Sequence, residues 1–189
     1  MDNKLTLKKL SFKLFCNFLL KHYCSIKSNT PLLPQVPFIL CSNHQSHLDT
    51  PTIIYALNKK LADFKILAAK DHFQNQNQSF TQSVFDLILV DRQASMKETR
   101  RLITECQQAI YEGKNLLIYP EGTRNTSSQI QPFKQGGLYI ALKLSIPIIP
   151  AAILGTAGAM GKGRCFIKPK QIQVLFDEPY LPQLPEGKL

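Results

Sequence analysis

PFILCSNHQSHLDTPTIIYALNK, residues 37–59, holds a strand, a turn and a helix in that order. PFILCSN (37–43) is a continuous apolar run, the pattern of a strand buried on both faces. HQSHLD is a short polar turn. Thr50 and Pro51 then suit the N-cap and first position of a helix running to about Lys59. The same alternation continues along the chain. FKILAAK (64–70) and DLILVDR (86–92) are strand-like, and residues 71–83 read as a loop with a short helix. MKETRRLITECQQAIYEG (96–113) has helical apolar spacing and a glycine stop. NLLIYPEGTR (115–124) is a strand entering a turn. GGLYIALKLS (136–145) is helical, IPIIPAAILG (146–155) a strand, and QIQVLFDEP (171–179) an alternating final strand. Glycine-rich GTAGAMGKG (155–163) lacks phosphate-loop spacing and reads as a loop. Alternating strands and helices predict an α/β fold: one domain with a mostly parallel mixed sheet flanked by helices.

The chain has 189 residues, which suits one domain with a real core. Apolar residues make up 44% and charged residues 19%, a globular rather than a disordered composition. Five scattered cysteines without a C-x-x-C pair exclude a zinc ribbon and suit reduced thiols facing the cytoplasm. The net charge of +10 points to an anionic partner, whether nucleic acid, a membrane surface or a phosphorylated substrate. No helix-turn-helix, zinc finger or aromatic-basic signature accompanies it, which argues against nucleic acid. Residues 1–28 carry six lysines and one acid among large apolar side chains. They read as a basic interfacial helix, from about residue 4 to 23, ahead of a domain spanning 29–189. No apolar run is long enough for an ordinary spanning helix.

His44 and Asp49 lie five positions apart across the strand-to-helix turn. Folding the carboxylate back onto one imidazole nitrogen would fix the tautomer and stabilise the imidazolium, and the other nitrogen could then take a proton from a hydroxyl. Taken alone, the pair also fits a helix-capping aspartate beside an ordinary loop histidine. No serine or cysteine sits in a nucleophile elbow, so a substrate hydroxyl is the expected nucleophile. YPEGTR (119–124) projects Glu121 and Arg124 from a tight turn. Arg124 can hold a phosphate bidentately, with backbone N–H groups near Gly122 and Thr123 adding donors. Arg92 and Lys134 follow neighbouring elements.

In order, these segments resemble the glycerolipid acyltransferases, whose best-known members act on lysophosphatidate. NHQSHLD (43–49), LILVDR (87–92), YPEGTR (119–124) and IPIIPAAI (146–153) match the four blocks of that family, and AAK (68–70) and PFKQGG (132–137) match segments between them. Tyr119 replaces the usual phenylalanine, and Asn125 stands where serine often follows the arginine. The resemblance implies transfer of a fatty acyl group from a thioester to the free hydroxyl of a lysophospholipid, with lysophosphatidate going to phosphatidate. The thioester is acyl-CoA or acyl carrier protein, and no metal or other cofactor is implied. His44 and Asp49 would be catalytic. Arg92, Glu121, Gly122, Thr123, Arg124 and Lys134 would form the acceptor site. The lipid substrate implies peripheral contact with the cytoplasmic face of a membrane. For His47 and His72 the reading is simple packing or exposure.

Overall fold

Strand β2 (Ile39–Ser42) sits near the middle of the sheet with three of its four residues buried, as its uninterrupted apolar run requires. The computed structural model describes residues 24–29, 31–73, 84–91, 95–125, 129–161 and 166–183, with the single positions 11, 14, 18, 20, 21, 82 and 127. The other strands are β1 (Ser25–Ser28), β3 (Phe64–Ala69), β4 (Leu87–Val90), β5 (Asn115–Ile118), β6 (Ile148–Leu154) and β7 (Gln171–Phe176). They form one seven-stranded sheet in the order β1-β7-β6-β2-β5-β3-β4. Every pairing is parallel except β6 with β7, so the sheet is mixed and mostly parallel, as the alternation of elements predicts.

Among the described residues, the α-helices with full bounds are α1 (Asp49–Ala56), α2 (Met96–Tyr111), α3 (Gly136–Leu144) and the single turn α4 (Thr156–Ala159). Side chains alternate across a strand, so β2 feeds two cores. Phe38 and Leu40 join Ile53 of α1, Phe64, Ile153 and Val174 on one face. Ile39 joins Cys106 and Ala109 of α2, Leu116, and Ile140 of α3 on the other. β7 alternates exposed and buried residues, with Ile172, Val174 and Phe176 inward, whereas all four residues of β5 are buried. Ser95 caps α2 by accepting the Glu98 N–H, and Gly113 takes the left-handed conformation after it, with φ +74°.

Four readings change. α1 begins at Asp49 after Leu48, without a side-chain cap, because the Thr50 hydroxyl is bonded to Tyr119 instead of to the helix end. Pro51 still falls in the first turn, where no helical partner exists for its missing N–H. α4 replaces the start of the expected 155–163 loop. Gly155, at φ +92°, turns the chain out of β6, Ala159 and Met160 close a helical turn, and burial of Thr156 and Ala159 outweighs the poor helix propensity of glycine. Residues 25–28, read with the basic segment, form edge strand β1 against β7. β4 ends at Val90, short of the strand expected to reach residue 92. Most of the predicted helix from 4 to 23 lies outside the described residues. Of those described there, Leu20 is buried, while Leu14 and Phe18 are exposed. Among the described residues, no helix is long and apolar enough to cross a membrane.

Candidate active site

Parallel pairing of β2 with β5, with Cys41 opposite Ile118, brings the loops after both strands out at the same edge. Ligands bind beyond the carboxyl ends of such strands. The Asn43 side chain starts the first loop by donating to the Ile153 carbonyl at 2.9 Å and accepting the Ile153 N–H at 2.7 Å. His44 follows, held from four directions. Its N–H donates to Glu121 Oε1 at 2.9 Å, and its carbonyl accepts the Asn125 N–H at 2.7 Å. Its ring stacks on Tyr119 with centroids 3.9 Å apart and planes within 14°. Its Nδ1 lies 2.7 Å from Asp49 Oδ2.

That carboxylate oxygen also accepts the Gln45 and Ser46 N–H groups, at 2.6 and 2.7 Å. Asp49 is fully buried, and its Oδ1 has no hydrogen-bond partner among the described residues. Nδ1 must donate to an acceptor of this kind, so the His44 proton sits there. Nε2 is left for a molecule in the cavity that His44 lines. The Ser46 hydroxyl donates to the Met160 carbonyl, tying the turn to α4.

Glu121 is buried and faces the loop backbones. Its Oε2 accepts from Asn125 Nδ2 at 3.0 Å and the Gln131 N–H at 3.1 Å, while Oε1 holds His44. Gly122 has φ +69°, and its N–H donates to the Tyr119 carbonyl. The Lys134 N–H donates to the Pro120 carbonyl, which sets the lysine across Gly122; a Cβ there would lie 2.9 Å from Lys134 Nζ. Tyr119 bonds Thr50 Oγ1 at 2.8 Å, and burial raises its phenol well above its ordinary pKa, so it stays protonated.

A cavity of about 390 Å³ opens beside His44. Its polar lining comes from His44, His47, Thr50, Gly122, Thr123, Arg124 and Lys134. Its apolar lining comes from β3 and β4, through Ile66, Leu67, Ala68 and Leu87, and from Leu102 of α2 and Ile140 of α3. Partial burial lowers the Arg124 pKa and nearby Asp49 raises it, and a guanidinium stays charged through such shifts. His47 is lowered to about 4, first by burial and then by the neighbouring Arg124 and His44; Asp49 acts the other way.

The structure thus brings together His44, Asp49, Gly122, Thr123, Arg124 and Lys134. It sets Glu121 behind the cavity wall as a brace for His44. Arg92 and the side chain of His72 lie outside the described residues. The Gly122 N–H is spent within its turn, whereas those of Thr123 and Arg124 make no hydrogen bond among the described residues. Sequence reading missed the place of His47 in the cavity, the stack beneath His44 and the bridging amide of Asn125. Their only signal was closeness to the two motifs. Among the described residues, no group of three or more His, Cys, Asp or Glu could hold a metal ion.

Residues 24–154 match the model of the Acyltransferase family. The chain belongs to the acyltransferase family. This acyltransferase is 30% identical to a protein of Mycoplasma pneumoniae named probable 1-acyl-sn-glycerol-3-phosphate acyltransferase, over 82% of this chain and 60% of that one. It is 26% identical to a 1-acyl-sn-glycerol-3-phosphate acyltransferase of Chlamydomonas reinhardtii, over 75% of this chain and 42% of the other. It therefore spans about half the length of the curated relatives it matches. The fold is that of the crystal structure of the 1-acyl-sn-glycerophosphate (LPA) acyltransferase PlsC from Thermotoga maritima. The TM-score is 0.71 and the identity 21%, with all of this chain and 76% of that one covered.

Proposed function

We propose that this acyltransferase moves a fatty acyl group from an acyl thioester to the free hydroxyl of a lysophospholipid, converting lysophosphatidate to phosphatidate. The observation that carries the reading is the His44–Asp49 pair opening on a cavity with cationic loops and apolar walls. His44 Nε2 takes the proton of the acceptor hydroxyl as its oxygen attacks the thioester carbonyl carbon. Asp49 stabilises the imidazolium so formed. The tetrahedral intermediate collapses with C–S cleavage, and His44 returns the proton to the departing thiolate. The products are an ester and a free thiol. The N–H groups of Thr123 and Arg124 are candidate donors to the oxyanion. Arg124 and Lys134 suit the acceptor phosphate, and the motif resemblance gives Arg92 the same role. The apolar lining suits the acyl chain.

Acyl-CoA and acyl carrier protein are the two donors to compare. Amphiphilic substrates call for peripheral contact with a membrane, on its cytoplasmic face. The net +5 of residues 1–28 supports attachment to anionic lipid through that segment. The test is transfer by the purified chain to a panel of lysophospholipids from either donor, read by mass spectrometry. Lysophosphatidate should be preferred, and His44→Ala should cost about 10²–10⁴-fold. Near-normal turnover in His44→Ala with unchanged circular dichroism overturns the mechanism, and preference for an acceptor without a phosphomonoester overturns the substrate.

A further inference from the structure

His47 has no part in the mechanism above, yet it lines the same cavity as Arg124 and Lys134. Among the described residues, neither of its ring nitrogens has a hydrogen-bond partner. His47 is exposed as a residue, so an incoming ligand can reach it. A polar side chain left open near Arg124, in a cavity that Lys134 also lines, is placed like a third arm of an anion site. We propose that His47 is a ligand of the acceptor's phosphate and that its imidazole takes up a proton from solvent as the anion binds. The inference rests on the reading of this cavity as the seat of a phosphate-bearing acceptor.

The surroundings explain why the proton waits for the anion. Partial burial is the largest influence against a charge on His47, followed by Arg124, from the loop after β5, and His44, from its own turn. Lys134 adds a further cation to the cavity. Asp49 is the acid that opposes them, but its charge is committed to His44 and two backbone N–H groups. Glu121 is likewise turned to His44 N–H, Asn125 and Gln131. Without a bound anion His47 is therefore neutral above about pH 4. A bound dianion offsets Arg124 and favours the imidazolium directly, so the midpoint rises and proton uptake becomes linked to binding. If the anion only restores the ordinary imidazole value of about 6.5, affinity gains about tenfold between pH 8 and pH 5.5, with about 0.9 proton taken up at the lower pH.

Sulfate is the probe, because it stays a dianion throughout this range and isolates the protein's titration. Binding to the full chain is measured by calorimetry near pH 5.5 and pH 8, in buffers of different ionisation enthalpy, for the wild type, His47→Gln and Arg124→Ala. The wild-type ratio of affinities should exceed that of His47→Gln by about tenfold, and the variant should lose most of the proton uptake. In parallel, the His47 ring resonances of the wild type should titrate at higher pH with sulfate than without. Equal ratios and equal uptake in wild type and His47→Gln, or an unmoved His47 midpoint, overturn the role of His47. If Arg124→Ala still weakens sulfate binding, the phosphate reading survives that result. If the wild type does not bind sulfate, or binds it as Arg124→Ala does, both fall together.

Discussion

Asp49→Asn separates the charge of the carboxylate from its geometry. In the native protein one oxygen, Oδ2, takes all three donors: His44 Nδ1 at 2.7 Å and the N–H groups of Gln45 and Ser46 at 2.6 and 2.7 Å. An asparagine at this position must turn its carbonyl oxygen toward those donors. The opposite flip would set an NH2 group against two backbone N–H groups at hydrogen-bond distance. The His44 tautomer is therefore retained, and what disappears is the negative charge facing the imidazolium. A hydrogen bond to a charged group contributes about 1.5–3 kcal/mol against about 1 for a neutral one. The difference, about 0.5–2 kcal/mol, corresponds to a fall in kcat from a few-fold to about 30-fold. The amide NH2 takes the place of Oδ1, which is buried without a hydrogen-bond partner among the described residues, and the bonds from the Gln45 and Ser46 N–H groups lose their charge assistance, so folding should also weaken by about 1–3 kcal/mol. Steady-state kinetics with both substrates saturating, and denaturant melts of both proteins, measure the two effects. A loss as large as that of His44→Ala would show that the amide flips despite the backbone donors. A change below about threefold in a folded variant would show that the carboxylate charge does not act on the imidazolium.

Tyr119→Phe keeps the stack under His44 but strands the buried Thr50 hydroxyl. Stability should drop by about 1–3 kcal/mol in a denaturant melt, while turnover falls much less than in Asp49→Asn. Gly155→Ala puts a Cβ 2.4 Å from the Gln171 carbonyl oxygen at a φ of +92°. Backbone strain of about 1–3 kcal/mol, at about 2–4 °C per kcal/mol for a chain of this size, should lower Tm by several degrees, and an unchanged Tm would contradict the contact. Burial pushes the Cys41 and Cys106 thiols up to about 11 and about 12. At pH 7.5 their thiolate fraction is about two orders of magnitude or more below that of a free cysteine, so native-state alkylation followed by peptide mapping should leave both unmodified.

The central strands were legible because burial on both faces leaves a continuous apolar run, as in ILC of β2 and LLI of β5. β7 was legible for the opposite reason, since its two faces differ. β1 was not, because SIKS carries no apolar pattern of its own and owes its conformation to β7, more than 140 residues later. The His44–Asp49 pair could be read because both groups lie in one short turn. The rest of the site depends on contacts between distant segments. Glu121 bracing the His44 N–H, Tyr119 stacking on the imidazole and His47 sharing a cavity with Lys134 follow from the β2–β5 register, which no local pattern encodes. Thr50 was misplaced as a cap for the same reason, as its partner lies 69 residues away.

The position of β7 between β1 and β6 imposes an order on assembly of the sheet. β1 leaves the ribosome early, but its place in the sheet does not exist until residues 171–176 have followed. At about 5–20 residues per second, that interval is roughly 7 to 30 seconds. β2, β3, β4, β5 and β6 can pair among themselves in the meantime, since the pairings that join them do not involve β7. The nascent chain thus passes through a stage in which the catalytic loops are already flanked by their own strands while β6 still presents an open edge, and an early-made strand waits as a tether for the last-made one.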